Sequence, residues 1–126
     1  MNIDYRINYF KQIKDFYSLI FNTDYEVRPV HISLYMFLLN QNNRNNWVEW
    51  FKCPFDLAMA GACINSKNTY YKTLDDLQFF NLIEYEKGIN LFKAPKIKIL
   101  PIKEVSSVLN NDTLTEQVSV PQSEPQ

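Results

Sequence analysis

Glycine is almost missing: the chain of 126 residues has two, Gly61 and Gly88. That scarcity speaks against glycine-rich phosphate cradles and against glycine-dense all-β architectures. Cysteine is as sparse. Cys53 and Cys63 lie ten residues apart without a CxxC pair, so neither a disulfide framework nor a zinc site is indicated, and both are expected as buried thiols. Histidine occurs once, at His31, with no second histidine for a metal site or proton relay. Ser33, two residues on, stands about 200° round a helix from it and does not share its side, so a Ser-His pair fails on geometry. No apolar run approaches the ~18 residues of a membrane span. Asp4, Arg6, Lys11, Lys14 and Asp15 interrupt the beginning of the chain, so a secretory leader is not expected. The expectation is a soluble, cytoplasmic protein with no membrane partner.

Apolar residues, in contrast, make up 46% of the sequence and aromatics 15%, enough to build one core in a chain of one-domain length. The net charge of −1 conceals an asymmetry. After residue 102 a single cation, Lys103, stands against Glu104, Asp112, Glu116 and Glu124, so that segment carries −3 and residues 1–102 carry +2. The segment 103–126 has no aromatics and no sustained periodicity, so burial cannot offset ordering entropy, and it is expected as a disordered acidic tail. Val105, Val108 and Leu109 could make a brief helix there on a protein partner.

Ile13, Phe16, Tyr17, Ile20 and Phe21 recur at helical spacing and predict an amphipathic first helix ending near Asn22-Thr23-Asp24. A second helix is expected from Arg28-Pro29, carrying Ile32, Leu34, Tyr35, Phe37, Leu38 and Leu39, and giving way to a loop at Asn40–Asn46. Trp47, Val48, Trp50 and Phe51 suit either a helical turn or a short strand. Pro54 opens a third helix over Phe55–Ala60, with Gly61 as its terminator. Ser66 stands as an N-cap before Lys67–Leu77, in which Tyr70, Leu74 and Leu77 mark the inward face. Lys67, Asn68, Tyr71, Lys72 and Asp75 form the opposite face. Leu82–Glu86 and Lys96–Leu100 alternate as a hairpin closed by Pro101.

The run from Ser66 through Tyr70, Leu74 and Leu77 to Asn81-Leu82-Ile83 resembles the recognition helix and wing entry of winged helix-turn-helix domains, with Asn81 in the place of a glycine. A looser similarity extends through Phe16-Tyr17, His31–Tyr35 and Trp47–Phe51 to the N-terminal domain of phage-type replication initiators and replisome organisers of mobile elements. The resemblance implies an α+β, mainly helical fold. In it a helical bundle with a C-terminal β-hairpin wing occupies residues 1–102, with a recognition helix near 66–80 and a wing near 83–100. It further implies double-stranded DNA as partner, in replication initiation or transcriptional regulation, with no cofactor and no enzymatic activity.

On that reading Lys67, Asn68, Thr69, Tyr71 and Lys72 would contact base edges and phosphates from the major groove, since asparagine can pair with adenine and lysine neutralises phosphate. Lys87, Lys93, Lys96 and Lys98 would lie along the DNA backbone from the wing, and Arg44 could reach phosphate from its asparagine-rich loop. The competing readings are a solvated helix face, lysines that protect a strand edge, and a winged helix that grips protein. The low net charge and the paired Asp75-Asp76 favour the last of these. Asp75 with Asp76, and Glu84 with Glu86, gather no further ligands and are read as solvated. Trp47, Trp50, Phe51, Phe55, Phe79, Phe80 and Tyr85 are expected mostly in the core. Tyr9, Phe10, Ile13 or Phe16 of the first helix could serve a homodimer.

Overall fold

The computed structural model describes residues 7–88 and 94–102. It is an α+β fold of four helices and one three-stranded antiparallel sheet. None of the helices described is long and apolar enough to cross a membrane. The expected tail, Lys103 onward, and Lys93 lie outside the described residues.

Helix α1 spans Tyr9–Asn22. Asn8 caps it, its Oδ1 accepting from the Lys11 amide at 3.0 Å. Phe16 is 1% exposed, its ring 4.3 Å from that of Tyr35. The buried Gln12 donates through Nε2 to the Tyr35 hydroxyl at 2.9 Å and to the Leu100 carbonyl at 2.8 Å, so one amide ties α1 both to the next helix and to the end of the sheet. Of the residues considered for a homodimer, Phe16 is therefore core, and Tyr9 and Ile13 pack against it; Phe10 remains outside.

Helix α2, Pro29–Arg44, is the central element, with Leu34, Tyr35, Leu38 and Leu39 fully buried. It runs through residues 40–44 of the stretch expected as a loop. The asparagines that make poor helix interiors in isolation are held here by their surroundings. Trp47 donates its indole N–H to Asn43 Oδ1 at 2.8 Å and its backbone N–H to the Asn42 carbonyl at 2.9 Å, and its ring lies 5.8 Å from that of Tyr9. Asn46 and Trp47 turn the chain through left-handed backbone, with φ of 63° and 57°.

Strand β1, Phe51–Lys52, leads to α3, Phe55–Ala62. Gly61 does not end α3. It lies within the helix, where an added Cβ would enter the space of the Phe37 ring, so glycine permits the close approach of α2 and α3. The terminator is Cys63, left-handed at φ 60°, followed by an Ile64 amide that reaches back to the Met59 carbonyl at 2.9 Å. Placed in this cap, Cys63 is exposed rather than buried. Cys53 is buried, which pushes its thiol up to about 12.

Helix α4, Lys67–Phe79, begins as expected, with Ser66 Oγ accepting from the Thr69 amide at 3.3 Å. Tyr70, Leu74 and Leu77 are at most 1% exposed. The helix closes at Asn81, left-handed at φ 64°, with the Leu82 amide bonded to the Leu77 carbonyl at 3.0 Å. Because β-branched residues strongly resist this conformation, Asn81→Val should cost about 1–2 kcal/mol and Asn81→Gly close to nothing. Urea denaturation of the two variants side by side measures the difference, and equal losses would refute the backbone explanation.

Strands β2, Ile83–Glu86, and β3, Lys96–Ile99, form the expected hairpin, with Ile83 opposite Ile99 and Tyr85 opposite Ile97. Phe51 and Lys52 add β1 to the other edge of β3. The inward row of Phe51, Ile83, Ile97 and Ile99 closes the core under α2 and α4. Two aromatic residues expected inside are not. Phe79, in the last turn of α4, is 70% exposed, and Trp50, at the outer edge beside β1, is 36% exposed.

Candidate nucleic-acid interface

The capping serine and the buried Tyr70, Leu74 and Leu77 set the rotation of α4, so Lys67, Asn68, Thr69, Tyr71, Lys72 and Asp75 all project to solvent. Lys67 is steadied by α3: its Nζ lies 4.4 Å from the centroid of the Phe55 ring. The Thr69 carbonyl accepts from Thr73 Oγ1 at 2.6 Å, which keeps the first turns closed on themselves.

Asp75 and Asp76, which would both repel a phosphate if they faced one, take different directions. Asp75 is exposed, whereas Asp76 turns toward α2. Its Oδ2 meets His31 Nε2 at 2.8 Å and its Oδ1 meets Lys72 Nζ at 2.7 Å. Burial raises the Asp76 carboxyl, but the hydrogen bonds from Lys72 and His31 and the charge of Lys72 outweigh it and hold the group below the usual carboxylate range. His31, 3% exposed, accepts the Arg28 amide on Nδ1 at 2.8 Å, so Nε2 carries the proton that goes to Asp76. The single histidine is thus a strut between the start of α2 and the last turns of α4.

Tyr71 joins the helix face to the hairpin, its ring 6.5 Å from that of Tyr85 on β2. Burial, then the neighbouring Tyr71, push the Tyr85 phenol up to about 12. The Tyr85 amide also donates to Gln78 Oε1 at 3.1 Å, a second tie between α4 and the hairpin. Between α4 and the approach to α2 lies an open groove of about 790 Å³, whose walls include Arg28, His31, Asn68, Thr69, Lys72 and Asp76.

The hairpin's lysines are less uniform than their sequence positions imply. Lys87 is exposed just past β2. Lys96 and Lys98 stand opposite Glu86 and Glu84 in the register, on the sheet's outer face. Lys98 also bonds Glu49 at 2.9 Å, and that bond, against a small desolvation cost and with added pull from Glu84, raises its pKa. Arg44 ends α2, about 20 Å along the helix from His31, where α2 meets α4. The cations at the start of α4 are therefore gathered with Tyr71 on one surface, whereas Arg44 is set apart from them. One cation was not anticipated from the sequence: Lys52, exposed on β1 and beside Lys96 in the ladder. Its only advance signal was the alternation of Phe51, Lys52 and Cys53, too short to read as a strand.

Among the described residues no three His, Cys, Asp or Glu side chains gather as a group that could hold a metal ion. Compared with family models, with curated proteins and with solved structures, the chain matches none.

Proposed function

We propose that this chain is a cytoplasmic, non-catalytic winged helix-turn-helix module that binds double-stranded DNA, in replication initiation or transcriptional control. The observation that carries the reading is the outward face of α4. A helix, a short turn and a capped second helix precede a hairpin, the order of a winged helix. The capped helix offers Lys67, Asn68, Thr69, Tyr71 and Lys72 at its N-terminal end while its apolar side is locked in the core. Helices of this kind enter the major groove with their N-terminal residues against base edges. The ion pair of Asp76 with Lys72 and its hydrogen bond from His31 support the same reading, because they leave Asp75 as the acidic side chain that the face turns outward. Tyr71, whose ring lies 6.5 Å from that of Tyr85, extends the surface to the hairpin, where Lys87 is exposed just past β2.

The test is fluorescence anisotropy of a labelled random-sequence duplex titrated with the full chain at low and moderate salt. Micromolar binding is expected, with a log–log salt slope of about −2 to −4 from a few phosphate contacts. Lys67→Ala with Lys72→Ala should reduce that slope by up to about 2 and weaken binding to all sequences alike. Absence of binding at low salt would reject the proposal. A protein-gripping winged helix is the second reading, favoured by the glutamates set against Lys96 and Lys98. It predicts duplex binding no stronger than that of the double variant.

A further inference from the structure

The solvent side of α1 is aromatic. Phe10 and Phe21 are 80% and 83% exposed, and Tyr17 is 39% exposed. With the exposed Lys14 they follow at spacings of four, three and four residues, which places all four on one stripe of the helix. Gln12 and Phe16, which fasten α1 to α2 and to the end of the sheet, lie on the opposite side. The ridge is therefore not part of the core, and it shares no residue with the outward face of α4.

We propose that this ridge is the docking surface for a second copy of the chain, with the two α1 helices antiparallel about a two-fold axis. A two-fold interface must complement itself, and the order of these residues does so. Turning one copy end for end sets Phe10 against the other copy's Phe21, and Lys14 against its Tyr17. Aromatic rings meet aromatic rings at both ends, and the ridge's single charge meets a ring face in the middle. The parallel arrangement would instead set Lys14 against Lys14. The three exposed rings amount to roughly 400 Å² per copy, about 800 Å² for the pair, which is the size of a weak and reversible contact. The inference rests on α1 alone and stands or falls independently of DNA binding.

Analytical ultracentrifugation of the full chain from about 10 to 500 μM is expected to show a monomer–dimer equilibrium with a Kd of roughly 10–300 μM. Phe10→Ala with Phe21→Ala should weaken it by about tenfold or more while leaving thermal unfolding of the dilute protein unchanged. Orientation is read by cross-linking in a Cys63→Ser background, since Cys63 is exposed. A mixture of Phe10→Cys and Phe21→Cys chains should be joined by a short bismaleimide. Phe10→Cys alone should not, because antiparallel packing separates the two copies of position 10 by about 16 Å. A chain that stays monomeric to 500 μM overturns the proposal, as does efficient cross-linking of Phe10→Cys to itself. If the monomeric chain began to associate once Val105, Val108 and Leu109 were replaced by aspartate, the ridge would belong to the chain's own C-terminal segment instead.

Discussion

Phe16→Ala will lower the stability of the fold by about 3–5 kcal/mol, the usual cost of removing a fully buried aromatic ring. The ring is 1% exposed and leans on Tyr35 at 4.3 Å, and Tyr35 in turn receives the Gln12 side chain that also holds the Leu100 carbonyl. Removing the ring thus opens a cavity beside the Gln12 bonds that fasten α1 to α2 and to the exit of β3. A domain of this size holds about 5–15 kcal/mol in all, so the variant should stand near its folding limit. Phe16→Leu, which retains most of the volume, should cost only about 1–1.5 kcal/mol. Urea unfolding of both, at two protein concentrations, separates packing inside one chain from packing between copies. A concentration-independent loss follows from the geometry described, and a loss seen only in concentrated samples would place Phe16 in an interface and overturn the assignment.

Phe16 also illustrates what a linear reading can and cannot see. Helical spacing identified α1 and its apolar residues, but it did not tell which of two apolar stripes faced inward, since Phe10, Tyr17 and Phe21 are as apolar as Ile13 and Phe16. The face of α4 was legible because its determinants are local: a capping Ser66, the i, i+4 and i+7 spacing of Tyr70, Leu74 and Leu77, and an Asn81 able to take positive φ. Elsewhere local preference yielded to contacts made at a distance. Four asparagines stay near the end of α2 or just beyond it because Trp47 folds back on Asn42 and Asn43 and rests on Tyr9. Gly61 serves packing against Phe37 while Cys63 takes the left-handed cap that glycine would ordinarily fill. The lysines of the hairpin looked like a basic strip until the strand register set Lys96 and Lys98 against Glu86 and Glu84. For the same reason Asp75 and Asp76 both read as solvated, whereas the partner that turns Asp76 inward, His31, is 45 residues away from it.

That partner is where the second large effect is expected. His31→Ala should cost about 2–4 kcal/mol, because it strips the acceptor from the Arg28 amide, the donor from Asp76 and the ring packed 5.1 Å from Phe80 in one step. Glutamine at this helix position can still reach back to the amide at the helix start, as in an ordinary capping box, and can offer an N–H toward Asp76. His31→Gln should therefore recover about half of the loss, a graded result that loss of ring packing alone would not produce. The same contact has a pH signature. With its pKa depressed in the folded protein, the Asp76 carboxylate contributes stability that is fully present above the ordinary value near 3.8 and is lost as pH falls from there through the lower folded value. Urea midpoints taken from neutral pH to pH ~3 should therefore fall more steeply for the parent chain than for Asp76→Asn, which has no such proton to take up. Parallel curves would mean that Asp76 is not held by His31 and Lys72 in solution. Should DNA binding hold, the same Asp76→Asn variant would also release Lys72 from its ion pair, so tighter duplex binding accompanied by a steeper salt slope would tie the strut to the reading face.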